Sequence, residues 1–314
     1  LALKIHKGAN AFKGEKQTVV TIGTFDGVHA GHQKIIKRLV DAAKIENLES
    51  VIFTFFPHPR MVLQKESGLK LINTIEERTE ILEKTGIDHL VVHPFTQQFS
   101  RLTAQEFVRD ILVNRLKAKK VIIGYDHRFG RNRTADIHTL KQFGEEYGFD
   151  VEEITKQEVD QVAVSSTKIR NALLEGRVGK ANSYMQSPFC LTGNVVKGRG
   201  LGKEFNYPTA NLSIEEDYKL IPKSGVYVVS SKIDGEHYFG MMNIGTNPTV
   251  GGKDQTIETY FFNLDRDLYG TELKIEMLVR IRDEKKFDSV NALKIAMKQD
   301  EAFSRQYIRD NYAQ

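Results

Sequence analysis

Between residues 18 and 182 short apolar runs alternate with amphipathic stretches, and beyond residue 184 that alternation stops. This change of pattern limits the fold more than any single motif does. "TVVTIG" reads as a buried strand and "GHQKIIKRLVDAAKI" as a helix, with Ile35, Ile36, Leu39, Val40 and Ala43 on one stripe. "VIFTFF" and "HLVVHPF" are further strands, "IEERTEILEKTG" is a helix stopped by Gly86, and "KVIIGY" is strand again. "TAQEFVRDILVNRL" is a helix opened by a capping box, Thr103 with Glu106. Strands alternating with helices predict βαβ units, hence a parallel sheet covered on both faces with ligands outside the carboxyl ends of its strands. After residue 184, "GNVVKG", "ANLSI", "GVYVVSSKI", "HYFGMMNIG", "ETYFF" and "ELKIEMLVRI" are short β-type runs punctuated by Gly, Pro, Asn and Asp. They predict an antiparallel barrel or sandwich. "DSVNALKIAMKQDEAFSRQYIRDNY" closes the chain as a helix, with a break expected near Asp300. The boundary falls near "NSYMQSPF", giving an α/β domain over 1–183 and a β domain over 184–314.

The chain length of 314 residues suits about two domains. A net charge of +4, without long basic runs, argues for small polyanionic ligands rather than nucleic acid. Cys190 is the single cysteine, so neither an internal disulfide nor a cysteine-built zinc site is available. No apolar run reaches the ~18 residues of a membrane span, and "LALKIHKGANAF" lacks the apolar centre of a secretory signal. The expectation is a soluble cytoplasmic protein that engages no membrane.

The first strong strand leads into "TFDGVHAGHQKII", where His29 and His32 stand three residues apart beside Gly27 and Gly31. A metal site would need three or four ligands, so the pair would have to recruit Asp26, and no H-E-x-x-H pattern is present. A plain helix cap would need only Gly31 as a turn. A phosphate cradle uses the same strand–turn–helix arrangement: the first amides of a helix lack partners and attract anions, glycine lets the backbone come close, and imidazole N–H groups donate to oxygens that gain charge. In "SSTKIR", Ser165, Ser166 and Thr167 can cap a helix, and Arg170 can add a bidentate anion contact.

"GTFDGVHAGH" resembles the H-x-G-H signature of the nucleotidyltransferase superfamily. "TFFPHP", "RTEILEKTGIDHLVVHPFTQQFSRLTAQEFVRDIL", "GYDHRFGRNRTAD" and "SSTKIRNALLEGRV" follow in the order found in bacterial riboflavin kinase/FAD synthetases. "GRGLGKEFNYPTANL", "NIGTNPTV", "ETYFFNLDRDLYG" and "IRDEKKFDS" extend the resemblance over nearly the whole chain. It implies a Rossmann-like nucleotidyltransferase domain that transfers AMP from ATP to FMN, followed by a β-barrel flavokinase domain with a terminal helix that makes FMN from riboflavin. FMN already carries an anionic phosphate nucleophile, so the first site needs alignment and charge stabilisation rather than a base. Under this resemblance the phosphate cradle holds Gly23, Phe25, Asp26, His29, Gly31 and His32, with Ser165, Ser166, Thr167 and Arg170 as a second anion site. Phe56, His58, Asp126 and Phe129 become flavin contacts.

For the second domain the resemblance implies Glu258 as the carboxylate that accepts the ribityl hydroxyl proton. Gly198, Gly200, Gly202 and Lys203 lie on the nucleotide side, and Thr209 and Asn211 serve as oxygen ligands for the magnesium carried by ATP. Riboflavin, FMN, FAD and ATP are the implied small-molecule partners. The chain departs from the family pattern in places. His127 replaces phenylalanine; Asn132, Ala135 and Asn206 replace glycine; and Lys203 replaces arginine, keeping the charge but losing the fork. Two other readings are a flavin-binding regulator that kept the fold without catalysis and an adenylyltransferase for another substrate. The intact histidine pair and Glu258 oppose the first, and the attached flavokinase-like half opposes the second.

Overall fold

The run Thr18–Ile22 is buried at every residue. Val20 and Ile22 join one core cluster and Val19 another, so the strand is covered on both faces. The computed structural model describes residues 2–64, 68–125, 127–155, 164–198, 207–249 and 252–312. They form two compact units, Leu1–Ser166 and Thr167–Gln314.

The first unit is built on strands β1 (Lys4–Lys7), β2 (Thr18–Ile22), β3 (Glu49–Phe56), β4 (His89–Pro94), β5 (Ala118–Gly124) and β6 (Asp150–Ile154). All pairings are parallel, and the order across the sheet is β1, β4, β3, β2, β5, β6. Helices α1 (Ala30–Glu46), α2 (Pro59–Leu63) and α3 (Ile75–Glu83) follow β2 and β3. The predicted stripe of α1 meets the Val19 face through Ile36, Leu39, Val40 and Ala43, with Ile35 half-buried beside them. On the other face lie α4, one turn at Ala104–Glu106 that continues as a π-helical stretch Phe107–Val113, and α5 (Ile137–Tyr147). The capping box at Thr103 and Glu106 is present. The wider winding beyond it brings Phe107, Val108 and Leu112 onto the sheet together. The strands at the two sheet edges carry little apolar signal: β1 buries only His6, and β6 reads DVEEI.

The chain runs outward from β2 to β3 and β4, then returns to the other side of β2 as β5. The topological switch, where such sheets bind ligands, therefore lies at the carboxyl end of β2.

In the second unit β7 (Phe189–Val196), β8 (Ala210–Ser213), β9 (Gly225–Ile233), β10 (Glu236–Thr249), β11 (Gly252–Phe261) and β12 (Glu272–Arg282) close an antiparallel barrel in the order β10, β11, β8, β7, β12, β9. Helices α6 (Ser166–Leu174) and α7 (Val178–Met185) precede it. Asn182 joins α7 to the barrel: its amide nitrogen donates to Met277 O at 2.8 Å and its oxygen accepts from Phe189 N at 2.8 Å. The terminal helix α8 (Val290–Tyr312) is continuous, which corrects the expected break near Asp300. Asp300 is buried in an ion pair with Arg282, so its carboxylate is satisfied by a strand rather than competing for the backbone of its own helix.

Candidate active sites

The first site grows from the switch point. After β2 the chain turns through Phe25, Gly27 and Val28, all in the left-handed region, with φ of 49°, 82° and 33°. Glycine tolerates this, whereas Phe25 and Val28 adopt it at a cost of roughly 1–3 kcal/mol each. Both side chains are buried in the α1 core, and that burial holds them there.

The turn is braced by Ile72 and Asn73, just before α3, and by Arg78 on it. Asp26 is fully buried; its carboxylate accepts from the amides of Ile72 at 3.0 Å and Asn73 at 3.2 Å and lies 3.8 Å from the Arg78 guanidinium. Arg78 donates to Thr24 O at 2.8 Å, and Asn73 Oδ1 accepts from Gly27 N at 2.9 Å. Ser166 donates to Asp26 O at 2.8 Å. Asp26 thus sits beneath the turn, with its oxygens facing backbone amides. Asn73 and Arg78 are supports of the turn that sequence reading missed; a charged residue on the inner face of "IEERTEIL" was the available signal.

His29 is the N-cap of α1, and its Nδ1 accepts from His32 N at 3.3 Å. The neutral ring therefore carries its proton on Nε2. The two imidazoles stack at 3.7 Å between centroids, and His32 lies 5.0 Å from the Phe25 ring. Burial pushes His29 down to about 4; the Asp26 charge opposes this only partly. Burial also holds His32 well below the ordinary imidazole range, with the His29 and Arg78 charges adding to it. Both rings are neutral donors near pH 7. Nδ1 of His32 is buried with no hydrogen-bond partner among the described residues. No group of three His, Cys, Asp or Glu side chains suited to a metal occurs among the described residues.

A cleft of about 470 Å³ opens from Ile22, Gly23 and Thr24 at the end of β2. Aromatic rings at Phe55, Phe95, Phe99, Phe107 and Phe129 line it, with His58, His127, Arg60, Arg128 and Arg133. Of the expected flavin contacts, His58 and Phe129 are on this wall. Phe56 is not; strand alternation turns its neighbour Phe55 inward. His58 also caps α2, its Nδ1 accepting from Arg60 N at 3.1 Å. His127 stacks over Phe129 at 6.2 Å. Asn132 has φ 57°, a backbone that glycine would favour and asparagine tolerates. Ala135 pairs with Phe129 through reciprocal backbone hydrogen bonds. Asp126 lies outside the described residues. Ser165 and Ser166 end the first unit; Thr167 and Arg170 belong to the second.

The second site lies in the barrel. Glu258 on β11 stands opposite Asn211 on β8, and Thr209 Oγ1 is 3.4 Å from Glu258 Oε2. Gly198 makes room for this group, because a Cβ there would collide with the Asn211 side chain. A cleft of about 350 Å³ joins Thr209 and Glu258 to Met241, Tyr260, Phe287, Leu293 and Met297. Gly200, Gly202, Lys203 and Asn206 lie outside the described residues. Cys190 is buried and free of disulfides.

A parallel sheet with a stacked histidine pair at its switch point, followed in the chain by a barrel with a carboxylate beside a hydroxyl and an amide, defines a two-domain α/β and β-barrel protein with one polar cluster in each domain. A family model described as FAD synthetase matches residues 12–168, and one described as riboflavin kinase matches 185–308. The bifunctional riboflavin kinase/FMN adenylyltransferase of Escherichia coli K12 is 34% identical over 290 residues, covering 92% of each chain. That of Listeria monocytogenes is 36% identical over 293 residues, again covering 92% of each. The chain belongs to the bifunctional riboflavin kinase/FMN adenylyltransferase family. A crystal structure described as a macrolide-efflux protein from Streptococcus pneumoniae superposes with a TM-score of 0.88 at 32% identity, over 97% of this chain and 99% of that one. Among the described residues no helix is long and apolar enough to cross a membrane.

Proposed function

We propose that the chain phosphorylates riboflavin with ATP in its barrel and adenylylates FMN with a second ATP at the β2–α1 turn, releasing pyrophosphate as FAD forms. The observation that carries this reading is the match of one family model to each half of the chain, with the histidine pair in one half and Glu258 beside Thr209 and Asn211 in the other. We divide the activities at the sequence boundary, AMP transfer to 1–183 and kinase to 184–314.

In AMP transfer an FMN phosphate oxygen attacks the α-phosphorus of ATP and the bond to the β-phosphate oxygen breaks. Nε2–H of His29 and the neutral ring of His32 stabilise oxygens that gain charge, beside the first amides of α1. Gly23, Phe25 and Gly31 shape the turn, and Asp26 holds it through Ile72, Asn73 and Arg78. Ser166 donates its hydroxyl proton to Asp26 O and so braces the turn, which leaves Ser165, Thr167 and Arg170 as the candidates for further anion contacts. Phe55, His58, Phe129 and His127 enclose the isoalloxazine, with the cleft arginines facing its phosphate, and Phe56 supports the wall from behind.

In the kinase step Glu258 accepts the proton of the ribityl hydroxyl as its oxygen attacks the γ-phosphorus and ADP leaves. The hydroxyl of Thr209 and the amide oxygen of Asn211, brought beside Glu258, are oxygen donors that fit magnesium, which would neutralise charge on the ATP phosphates. The glycine stretch from Gly198 through Gly200 and Gly202, with Lys203, serves the phosphates. The compartment we propose is the cytoplasm, where riboflavin and ATP meet.

Glu258→Gln tests this division. It keeps size but cannot take the proton, so riboflavin phosphorylation should fall roughly a hundred- to ten-thousandfold while FMN supplied directly is still converted to FAD. Chromatography of both reactions reads the result. Loss of both activities in a folded variant would overturn the assignment, and absence of either turnover in the wild type would support a regulator instead.

A further inference from the structure

The terminal helix is held to the barrel in an unusual way. Of its 23 residues only Asp300 and Ser304 are buried among those described. Leu293, Met297, Asp300 and Ser304 follow one stripe, but Leu293 and Met297 are half-buried because they face the kinase cleft. In the first half of α8 Met297 packs beside Met241 and Phe262, but no apolar side chain there is fully buried among the described residues, so the buried polar contact at Asp300 carries weight in holding it. Arg282 at the end of β12 holds Asp300 with a fork: Nε lies 2.9 Å from Oδ1 and Nη2 lies 2.7 Å from Oδ2. Its Nη1 donates to Asp283 O at 3.0 Å, and the guanidinium lies over Phe287 at 5.6 Å from the ring centroid. Ser304 closes the arrangement by donating to Asp300 O at 2.7 Å. Arg282, Asp300, Phe287, Leu293 and Met297 all line the cleft that contains Glu258. Further along, Tyr207 donates to Glu301 at 2.9 Å and Arg305 lies over Phe262 at 4.4 Å, so the second half of α8 has anchors of its own.

We propose that the Arg282–Asp300 pair is a positioning device for riboflavin: it fixes the first half of α8 as the wall against which the isoalloxazine packs. The inference rests on the reading of the Glu258 cleft as the kinase site. Riboflavin has one large planar apolar part, and Met241, Tyr260, Phe287, Leu293 and Met297 form the apolar side of this cleft. A wall displaced by even an ångström loses packing against a rigid ring, whereas ATP, bound on the Thr209 and Asn211 side, is unaffected. The pair thus acts on flavin affinity, not on the chemical step.

The test uses the full chain and steady-state kinetics with riboflavin and ATP varied separately. Asp300→Asn and Arg282→Lys each keep size but lose the fork. Each should raise KM for riboflavin by roughly tenfold or more, with kcat and KM for ATP changed by no more than about threefold. The double variant Arg282→Met/Asp300→Leu should return KM for riboflavin to within about threefold of wild type, because an apolar pair of similar volume can replace a buried ion pair and dock the helix again. Unchanged riboflavin KM in both single variants would overturn the proposal. So would a fall in kcat at constant KM, which is the signature of a smaller folded fraction. Failure of the double variant to recover would mean that the charges touch riboflavin directly, and loss of the barrel's thermal transition in all three would make the pair purely structural; either result overturns the positioning role. If the wild type itself does not phosphorylate riboflavin, the functional reading fails instead.

Discussion

His29 has two separable duties, and replacing it by asparagine or by alanine tells them apart. Its Nδ1 caps α1 through His32 N, and its Nε2–H is the donor assigned to the transferring phosphate. Alanine removes both. Loss of a capping side chain costs about 1 kcal/mol. In the Leu1–Ser166 unit this should lower the melting temperature by about 2–4 °C. Loss of one preorganised donor costs on the order of a hundredfold or more in rate. Asparagine is among the best capping residues, so His29→Asn should retain stability to within a few tenths of a kcal/mol. It cannot place an N–H where the far edge of the imidazole lies, so FAD formation should still fall about a hundredfold or more. Calorimetry and chromatographic assay of FAD from FMN and ATP give the two quantities, with riboflavin phosphorylation as the control in the same protein. If His29→Asn makes FAD at near wild-type rate, the ring is only a cap and the phosphate assignment fails.

The remaining predictions address the other sites. Gly198→Ala should impair riboflavin phosphorylation and spare FAD formation from FMN, because the new Cβ must displace the Asn211 side chain; equal kinase rates would remove Asn211 from the site. Phe55→Ala should raise KM for FMN by roughly tenfold, as expected for losing one aromatic wall, while Phe56→Ala should change it less; the reverse order would move the flavin to the other face of β3. His29 is depressed from the ordinary 6.5 to about 4. Between those values the unfolded chain binds a proton that the folded chain does not, so stability of the first unit should fall as pH drops from about 6.5 towards 4. Buried His32, also depressed, acts in the same direction. Urea unfolding at pH 7, 6 and 5 measures the slope, and His29→Asn should flatten it; an unchanged slope would mean that His29 titrates normally.

The alternation before residue 182 and its loss after 184 were enough to read a parallel sheet and a separate antiparallel β domain, because side-chain period and turn residues are local properties; that the β domain closes as a barrel rather than a sandwich depends on long-range pairing of β9 with β12. The edge strands β1 and β6 escaped that reading. One has a single buried residue and the other is mostly charged, so their place is decided by partners already in the sheet. The break expected at Asp300 shows the same limit. An acidic residue inside a helix reads as a stop until a strand elsewhere supplies Arg282.

What the sequence by itself carried was the motif: His29 and His32 three residues apart after a strand, and Glu258 in a run that resembles a known family. What the tertiary structure decided was how each is used. Asp26, read as part of the phosphate cradle, is turned beneath it by the amides of Ile72 and Asn73 and by Arg78, which come from 46 to 52 residues further along the chain. Phe55 rather than Phe56 faces the cleft because the pleat of β3, once in register with β4, leaves one of two adjacent rings on each side. Burial, which no local pattern measures, holds both histidines neutral, and the cap bond to His32 N settles which nitrogen of His29 carries the proton. Motif identity is written in neighbouring residues, whereas orientation, protonation and support arise only when segments far apart in the chain exclude water together.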